Sequence, residues 1–297
     1  MEDSYSARPI AGRLVALDFR PARPLTLLGP AWAVICGAIA SGGLLWQTHT
    51  VLNLVLLILL CDALLGAWRS LWLHADWRTT LPRNMASAHI WLMTSRETPR
   101  FFLLRWLQPI SQRIRLLRVV AWPLLDSEIT GMLVAGLLAL CVAVVLGLVP
   151  TILTAVALAL ALIEGQVGAE RGTLLRAVFE IALPWSIATS AFGNFSWLAL
   201  AAIALFTLMY FALIGMSSRQ SRFWTWLCNG IQLMIIAILV YFKVAAGAGI
   251  VALGLLAQIL WQARHHIDRN GRAYAQRVQT YLMIEMVVVA IMLWFSL

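Results

Sequence analysis

Long, unbroken apolar runs separated by short polar connections dominate the hydropathy pattern of this chain. A helix that crosses a bilayer needs about 20 mainly apolar residues. The apolar residues are consecutive rather than alternating, which favours helices over the strands of an outer-membrane barrel. The pattern therefore predicts an all-α integral membrane protein, with one nine-helix membrane domain at residues 25–297. The nine predicted spans are Leu25–Trp46, Thr50–Leu73, Gly131–Leu148, Pro150–Ile163, Val178–Phe192, Trp197–Met216, Phe223–Phe242, Ala246–Trp261 and Tyr281–Leu297.

The composition supports this assignment. Of the 297 residues, 62% are apolar and 12% are charged, whereas a soluble globular domain carries about 25% charged residues. The composition therefore excludes a soluble domain, a disordered chain and a secreted disulfide scaffold. Each of the four cysteines lies inside an apolar run, without metal-ligand or redox spacing, and is interpreted as a small buried apolar residue.

Basic residues occupy alternate connections between the predicted spans. The connections 46–50, 148–150, 192–197 and 242–246 together contain one charge, Lys243. The arginines lie in residues 1–24, at the end of the second span, or in the connections 74–130, 164–177, 216–223 and 262–280. The positive-inside rule then predicts a cytoplasmic N-terminal segment at 1–24, an external C-terminus and a multi-pass protein of the inner (cytoplasmic) membrane. The net charge of +9 reflects topology, and no nucleic-acid partner is predicted.

The connection 74–130 differs from a plain loop and is interpreted as a basic interfacial insertion. The stretches Phe101–Leu107 and Ile114–Val120 mix aliphatic, aromatic and arginine side chains at helical spacing, and Pro99, Pro109 and Pro123 divide the segment into short helices. Such helices lie in the membrane interface with their apolar face down. Two interpretations remain open, a lipid-anchoring flap and a basic lid over an anionic substrate.

Charged side chains inside the predicted spans are the first candidates for function, because burying a charge in a bilayer is costly. Asp62 lies in the middle of the second span, and Arg69 follows seven residues later near the same helix face, with Gly66 between them keeping that face open. Glu180 in the fifth span and Glu285 in the ninth are similar cases. Each charge fits either a ligand site or a polar contact that fixes helix packing.

Other ionisable residues and motifs add little chemistry. Glu164 and Glu170 lie at a cytoplasmic mouth, where solvent exposure is expected. His265 and His266 are neighbours that do not face the same way on a helix, so no metal site is predicted there. No two carboxylates are four residues apart, and the chain lacks a glycine-rich phosphate loop, HExxH and GxSxG.

Several stretches are similar to the UbiA superfamily of membrane prenyltransferases, and most similar to its (bacterio)chlorophyll synthase branch. The predicted topology of nine spans with a cytoplasmic N-terminus resembles that family. The residues that carry the resemblance are Leu17-Asp-Phe-Arg-Pro-Ala-Arg-Pro, the first span from Pro30 to Gly42, Glu180-Ile-Ala-Leu-Pro-Trp and the last span from Ala273 to Met292. The resemblance implies a UbiA-like bundle of nine helices.

The resemblance also implies where a catalytic site would lie. In that family two aspartate-rich motifs hold Mg²⁺ and the prenyl diphosphate. The first motif falls near Leu71–Arg78, where Asp76 and Arg78 are its remnants, and the second falls near Met216–Arg222, which contains no acid. Arg171 and Arg176 are the residues that could still meet a diphosphate. Departure of a diphosphate requires stabilisation of its charge, so such scarce carboxylates count against the family's usual reaction.

These observations lead to two functional hypotheses. The first is a non-catalytic relative that binds an isoprenoid lipid, a quinone or a (bacterio)chlorophyll-type pigment and acts as an accessory or structural subunit of a membrane complex, such as a photosynthetic one. Its ligand-binding candidates are Arg69, Arg78, Arg171, Arg176 and Glu180, and no cofactor is predicted for it. The alternative is an active prenyltransferase that uses Asp62, Asp76 and Mg²⁺ to transfer a prenyl group to an aromatic or chlorin acceptor. A transporter is a weaker third hypothesis, because no pair of broken-helix repeats is visible.

Overall fold

The apolar runs of the sequence form helices. The computed structural model describes residues 28–43, 48–74, 122–167, 172–193, 196–218, 222–264 and 267–296, and every regular element in these ranges is helical. In chain order they are α1 (Pro30–Ala40), α2 (Thr48–Ile58), π1 (Leu59–Leu64, a π-helical segment), α3 (Leu65–His74), α4 (Trp122–Leu146), α5 (Leu148–Val167), α6 (Gly172–Ala177), π2 (Val178–Ala182, also π-helical), α7 (Leu183–Ala191), α8 (Trp197–Ser218), α9 (Arg222–Tyr241), α10 (Ala245–Arg264) and α11 (Ile267–Ser296).

Six helices in this part of the chain are long and apolar enough to cross a membrane. Three shorter apolar helices, Pro30–Ala40, Gly131–Leu146 and Leu148–Glu164, coincide with the first, third and fourth predicted spans. Large apolar side chains such as Val145, Leu148 and Leu260 are exposed on the outer surface, which is the arrangement expected of helices whose solvent is lipid. The chain is thus a multi-pass membrane protein.

One helix, Gly172–Ala191, stands between two hydrophobic cores and packs on both. Its residues Ala177, Ile181 and Trp185 face the core formed mainly by α1, α8, α9 and α11. Its residues Phe179 and Leu183 face the second core, formed mainly by π1, α3, α4 and α5. Because this helix contacts both halves of the bundle, polar groups on it can meet partners from either half.

Several helices extend beyond the apolar runs that predicted them. The fifth predicted span began at Val178, whereas the helix begins at Gly172, and the last began at Tyr281, whereas α11 begins at Ile267. Helical hydrogen bonding continues through polar residues, since the hydropathy of a side chain limits burial and not backbone conformation. The predicted insertion at 74–130 was too long at both ends, because His74 ends α3 and residues 122–130 belong to α4. Its remainder, 75–121, lies outside the described residues, as do the first 27 residues and His265 and His266.

Candidate functional site

Arg69 in the middle of α3 is the centre of a buried network of charged side chains. Its Nε donates to Glu164 Oε2 and its Nη2 donates to Glu164 Oε1, both at 2.7 Å. Two parallel hydrogen bonds of this kind form the strongest arginine–carboxylate geometry. Both residues are 9% exposed, so this ion pair ties α3 to α5 inside the bundle.

Glu180 in π2 completes the network. Its Oε1 accepts hydrogen bonds from Arg69 Nη1 at 2.7 Å and from Arg176 Nε at 2.9 Å. Its Oε2 accepts a hydrogen bond from the Tyr210 hydroxyl of α8. Glu180 is only 1% exposed, and a buried carboxylate with three donors is well compensated. Two arginines and two glutamates balance in charge, and the network joins helices from both cores.

Glu180 lies in a π-helical segment just before a proline. Pro184 has no N–H, and its ring cannot pack against the carbonyl of residue 180, four positions earlier. The helix accommodates this with the π-helical segment Val178–Ala182, a common response to an interrupted hydrogen-bond ladder. Phe179, next to Glu180, lies under Arg69, with the guanidinium carbon 5.2 Å from the ring centroid.

The structure brings some of the predicted site residues together. Arg69, Arg176 and Glu180 contact one another directly, whereas Asp62 is buried in π1, about two turns before Arg69. The expectation of an exposed Glu164 was wrong, because this side chain is buried and paired with Arg69. Tyr210 was not singled out from the sequence. Asp76, Arg78, Arg171 and Glu170 lie outside the described residues.

The network does not fit a magnesium–diphosphate complex. Magnesium bound to a diphosphate takes its protein ligands from carboxylates, but each oxygen of Glu164 and Glu180 already accepts a hydrogen bond from an arginine or from Tyr210. In the ranges that the structure describes, no three His, Cys, Asp or Glu side chains come together. Among the described residues, the network is an ion-pair cluster in which the charges balance and each carboxylate oxygen already accepts a hydrogen bond.

An apolar groove lies on the opposite half of the bundle. Its cavity volume is about 50 Å³, and it is lined by thirteen residues, all apolar, from α8, α9, α11 and the turn after α9. Phe206, Ile235 and Val289 lie on its wall, and Phe242 and Val244 lie towards the end of α9. This volume is below the range of about 300–1,000 Å³ for an ordinary ligand pocket, so the groove holds part of a ligand and not a whole one. Its lining is suited to an apolar chain rather than a polar molecule.

Comparison with known proteins adds no further assignment. No protein-family model, curated protein or solved structure matches this chain. The charged network and the apolar groove are therefore interpreted from their geometry.

Replacing Tyr210 with phenylalanine tests how much α8 contributes to the charged network. The substitution removes the hydroxyl that donates to Glu180 Oε2 and leaves a buried carboxylate oxygen without that partner. We expect the free energy of unfolding in detergent to fall by about 1–3 kcal/mol. Thermal unfolding followed by the fluorescence of a thiol-reactive dye measures this change. Thr207→Val on the same helix, which removes a hydroxyl bonded to the Ile203 carbonyl, is the matched control and is expected to have a smaller effect.

Proposed function

We propose that this chain is a non-catalytic membrane protein that binds an isoprenoid-type lipid, a quinone or a (bacterio)chlorophyll-type pigment. The apolar tail of the ligand occupies the groove. In this proposal the protein acts as an accessory subunit of a larger complex in the inner membrane. It crosses the membrane nine times with its N-terminus in the cytoplasm, in a UbiA-like arrangement. The alternating basic connections support this orientation.

The apolar groove is the observation that carries the proposal. All thirteen of its lining residues are apolar, so a ligand gains free energy there by burying CH₂ groups, about 0.8 kcal/mol for each. An isoprenoid tail presents a continuous apolar surface of this kind. The groove opens among α8, α9 and α11, which are spans long enough to cross the membrane, so a ligand dissolved in the bilayer can enter it laterally.

The charged network supports a binding role rather than prenyl transfer. Arg69 and Arg176 would be the anion-binding groups of a diphosphate site, but both donate to buried glutamates. Releasing them for a diphosphate would leave Glu164 and Glu180 as buried, unpaired carboxylates, which costs several kcal/mol. The network therefore favours a structural role at the end of the bundle.

Ligand co-purification tests the proposal. The chain is isolated from native membranes in mild detergent, and bound lipids are identified by mass spectrometry and pigments by absorption. We expect near-stoichiometric isoprenoid, quinone or pigment. Ala201→Trp fills the groove and is expected to lower ligand occupancy about tenfold, because displacing two CH₂ groups costs about 1.6 kcal/mol. Ala237→Trp, on the exposed face of α9, is the matched control and retains the ligand.

Two outcomes would contradict the proposal. Absence of any isoprenoid, quinone or pigment from the purified native protein would remove the binding role. Magnesium-dependent release of diphosphate from geranylgeranyl diphosphate, with an aromatic or chlorin acceptor, would establish the enzyme alternative. In that case Asp76→Asn is expected to abolish turnover. The same assay on Asp62→Asn would show whether Asp62 also takes part in catalysis.

A further inference from the structure

Glu285 differs from the other buried glutamates of the spans in having an amide, not an arginine, as its partner. It lies near the middle of the span Ala273–Phe295 and is 1% exposed. Gln232 Nε2 donates to its two carboxyl oxygens at 2.9 and 3.1 Å. Glu164 and Glu180 are both neutralised by Arg69. The charge of Glu285 therefore needs a different form of compensation.

No basic side chain is bonded to Glu285 in the part of the chain that the structure describes. Arg222 begins α9, ten residues before Gln232, and Arg264 ends α10, ten residues after Gly254. On α9 the titratable neighbour is the Cys228 thiol, and α10 presents Gly254 and Gln258. The sequences of α1 and α8 contain no charged residue; their titratable side chains are Cys36 and Tyr210, and Tyr210 is bonded to Glu180. On α11 itself, Arg277 lies over the Trp261 ring, eight residues or about 12 Å along the axis from Glu285.

A proton is the ligand that the geometry around Glu285 can accommodate. A β-carbon at Gly254 would lie 2.5 Å from Glu285 Oε1, so α10 leaves no room there for a metal ion and its shell of oxygen ligands. A protonated carboxyl has one O–H donor, and Gln232 Oε1 is buried and accepts no hydrogen bond from the described residues. Protonation removes the net charge of Glu285 from the bilayer interior, while Gln232 Nε2 still donates to the carboxyl group.

Polar side chains are spaced between Glu285 and the end of α10. Gln262 donates to Asn229 Oδ1 at 2.9 Å and to the Tyr274 hydroxyl at 2.8 Å. Gln258 is fully buried, and neither its Nε2 nor its Oε1 has a partner among the described residues. Gly254, Gln258 and Gln262 are spaced by four residues and so lie on one face of α10. We call the set Asn229, Gln232, Gln258, Gln262, Tyr274 and Glu285 the polar seam.

We propose that Glu285 is a proton-binding site in the membrane interior and that the polar seam is the route by which its proton exchanges with the side of the membrane where α10 ends. The unpartnered amide of Gln258 lies between the two bonded groups of the seam and can both donate and accept a hydrogen bond. Buried polar groups of this kind mark ion and proton pathways in membrane proteins. This assignment is independent of ligand binding in the apolar groove.

Carbodiimide labelling of the intact protein in detergent tests the site. Dicyclohexylcarbodiimide reacts with protonated carboxyls, and labelled peptides are identified by mass spectrometry. We expect Glu285 to be labelled about tenfold more than Glu164 or Glu180, because an arginine partner keeps a carboxyl ionised. Labelling should fall as the pH is raised and the proton is lost. If Glu285 is labelled no more than the two paired glutamates, the site is overturned.

Infrared spectroscopy tests the site and the route separately. The carbonyl band of a protonated carboxyl should be present in the wild type and absent in Glu285→Gln; a band that persists overturns the site. In D₂O the band shifts as the proton is exchanged. Gln258→Leu is expected to slow this shift about tenfold by interrupting the hydrogen-bonded route. Gln279→Leu, a buried glutamine on a different face of α11 from Glu285, is the control. Equal rates in wild type and Gln258→Leu, or equal slowing in both variants, overturn the route.

Discussion

Arg69→Gln is expected to lower the free energy of unfolding by about 3–5 kcal/mol, since it leaves buried carboxylates without their cation. Arg69 makes three hydrogen bonds of 2.7 Å to Glu164 and Glu180. Glutamine is shorter and uncharged, and it cannot form the two parallel hydrogen bonds that the guanidinium group makes to Glu164. The variant should therefore show a lower midpoint in thermal unfolding in detergent and a lower yield of monodisperse protein.

A second substitution distinguishes lost charge balance from lost packing. The double variant Arg69→Gln, Glu164→Gln removes one positive and one negative charge together, so it should be more stable than Arg69→Gln alone. Arg176→Gln is the milder comparison, because the Arg176 side chain is 23% exposed and makes one hydrogen bond to Glu180. If the double variant were as unstable as Arg69→Gln, electrostatic compensation would not be the reason for the effect.

Gly37→Leu is the second change with a large expected effect, because α1 and α7 pack in direct backbone contact at this glycine. A β-carbon at Gly37 would lie 2.7 Å from the Trp185 carbonyl oxygen and 2.8 Å from Ala188 Cβ. A backbone carbonyl cannot move aside as a flexible side chain can. We expect a loss of about 3 kcal/mol or more in the free energy of unfolding, at the upper end of the cost of overpacking.

Gly66→Leu is the matched control for this prediction. It introduces the same side chain into α3, which packs in the second hydrophobic core. A β-carbon at Gly66, however, meets no atom within 4 Å. Its stability is expected to change by no more than about 1 kcal/mol, and to rise where the better helix propensity of leucine dominates. Thermal unfolding of both variants under the same detergent conditions measures the difference. Similar losses in the two variants would show that steric contact at Gly37 is not decisive.

The positions of the helices followed closely from hydropathy. Each of the nine predicted spans overlaps a helix of the structure, because apolar side chains and satisfied backbone groups are both required in lipid. Helix ends were less predictable: α11 begins at Ile267, fourteen positions before Tyr281, the predicted start of the last span. The polar residues at that end remain helical, since the backbone hydrogen bonds continue beyond the apolar stretch.

Three members of the candidate site, Arg69, Arg176 and Glu180, were predictable from the sequence, and their contacts were not. The cost of an intramembrane charge marked Arg69, Glu180 and Glu285 from the sequence, and the spacing of Arg176 and Glu180 is that of neighbours on a helix. Glu164, in contrast, is 95 positions from Arg69, and its position at the end of a span suggested exposure. Pairing over such a distance depends on how helices pack, for which the sequence carries no local signal.

By itself the sequence determined that the described part of the chain is an all-helical membrane protein, where its apolar helices lie, and that Arg69, Glu180 and Glu285 lie inside them. The physical reason is that lipid imposes one rule on each residue separately, the cost of its own polar groups. Only the tertiary structure decided that Glu164 and Glu180 are neutralised by arginine whereas Glu285 faces Gln232. Compensation of a buried charge is a property of two helices together, and it is set by the packing of glycine and proline positions that brings them into contact.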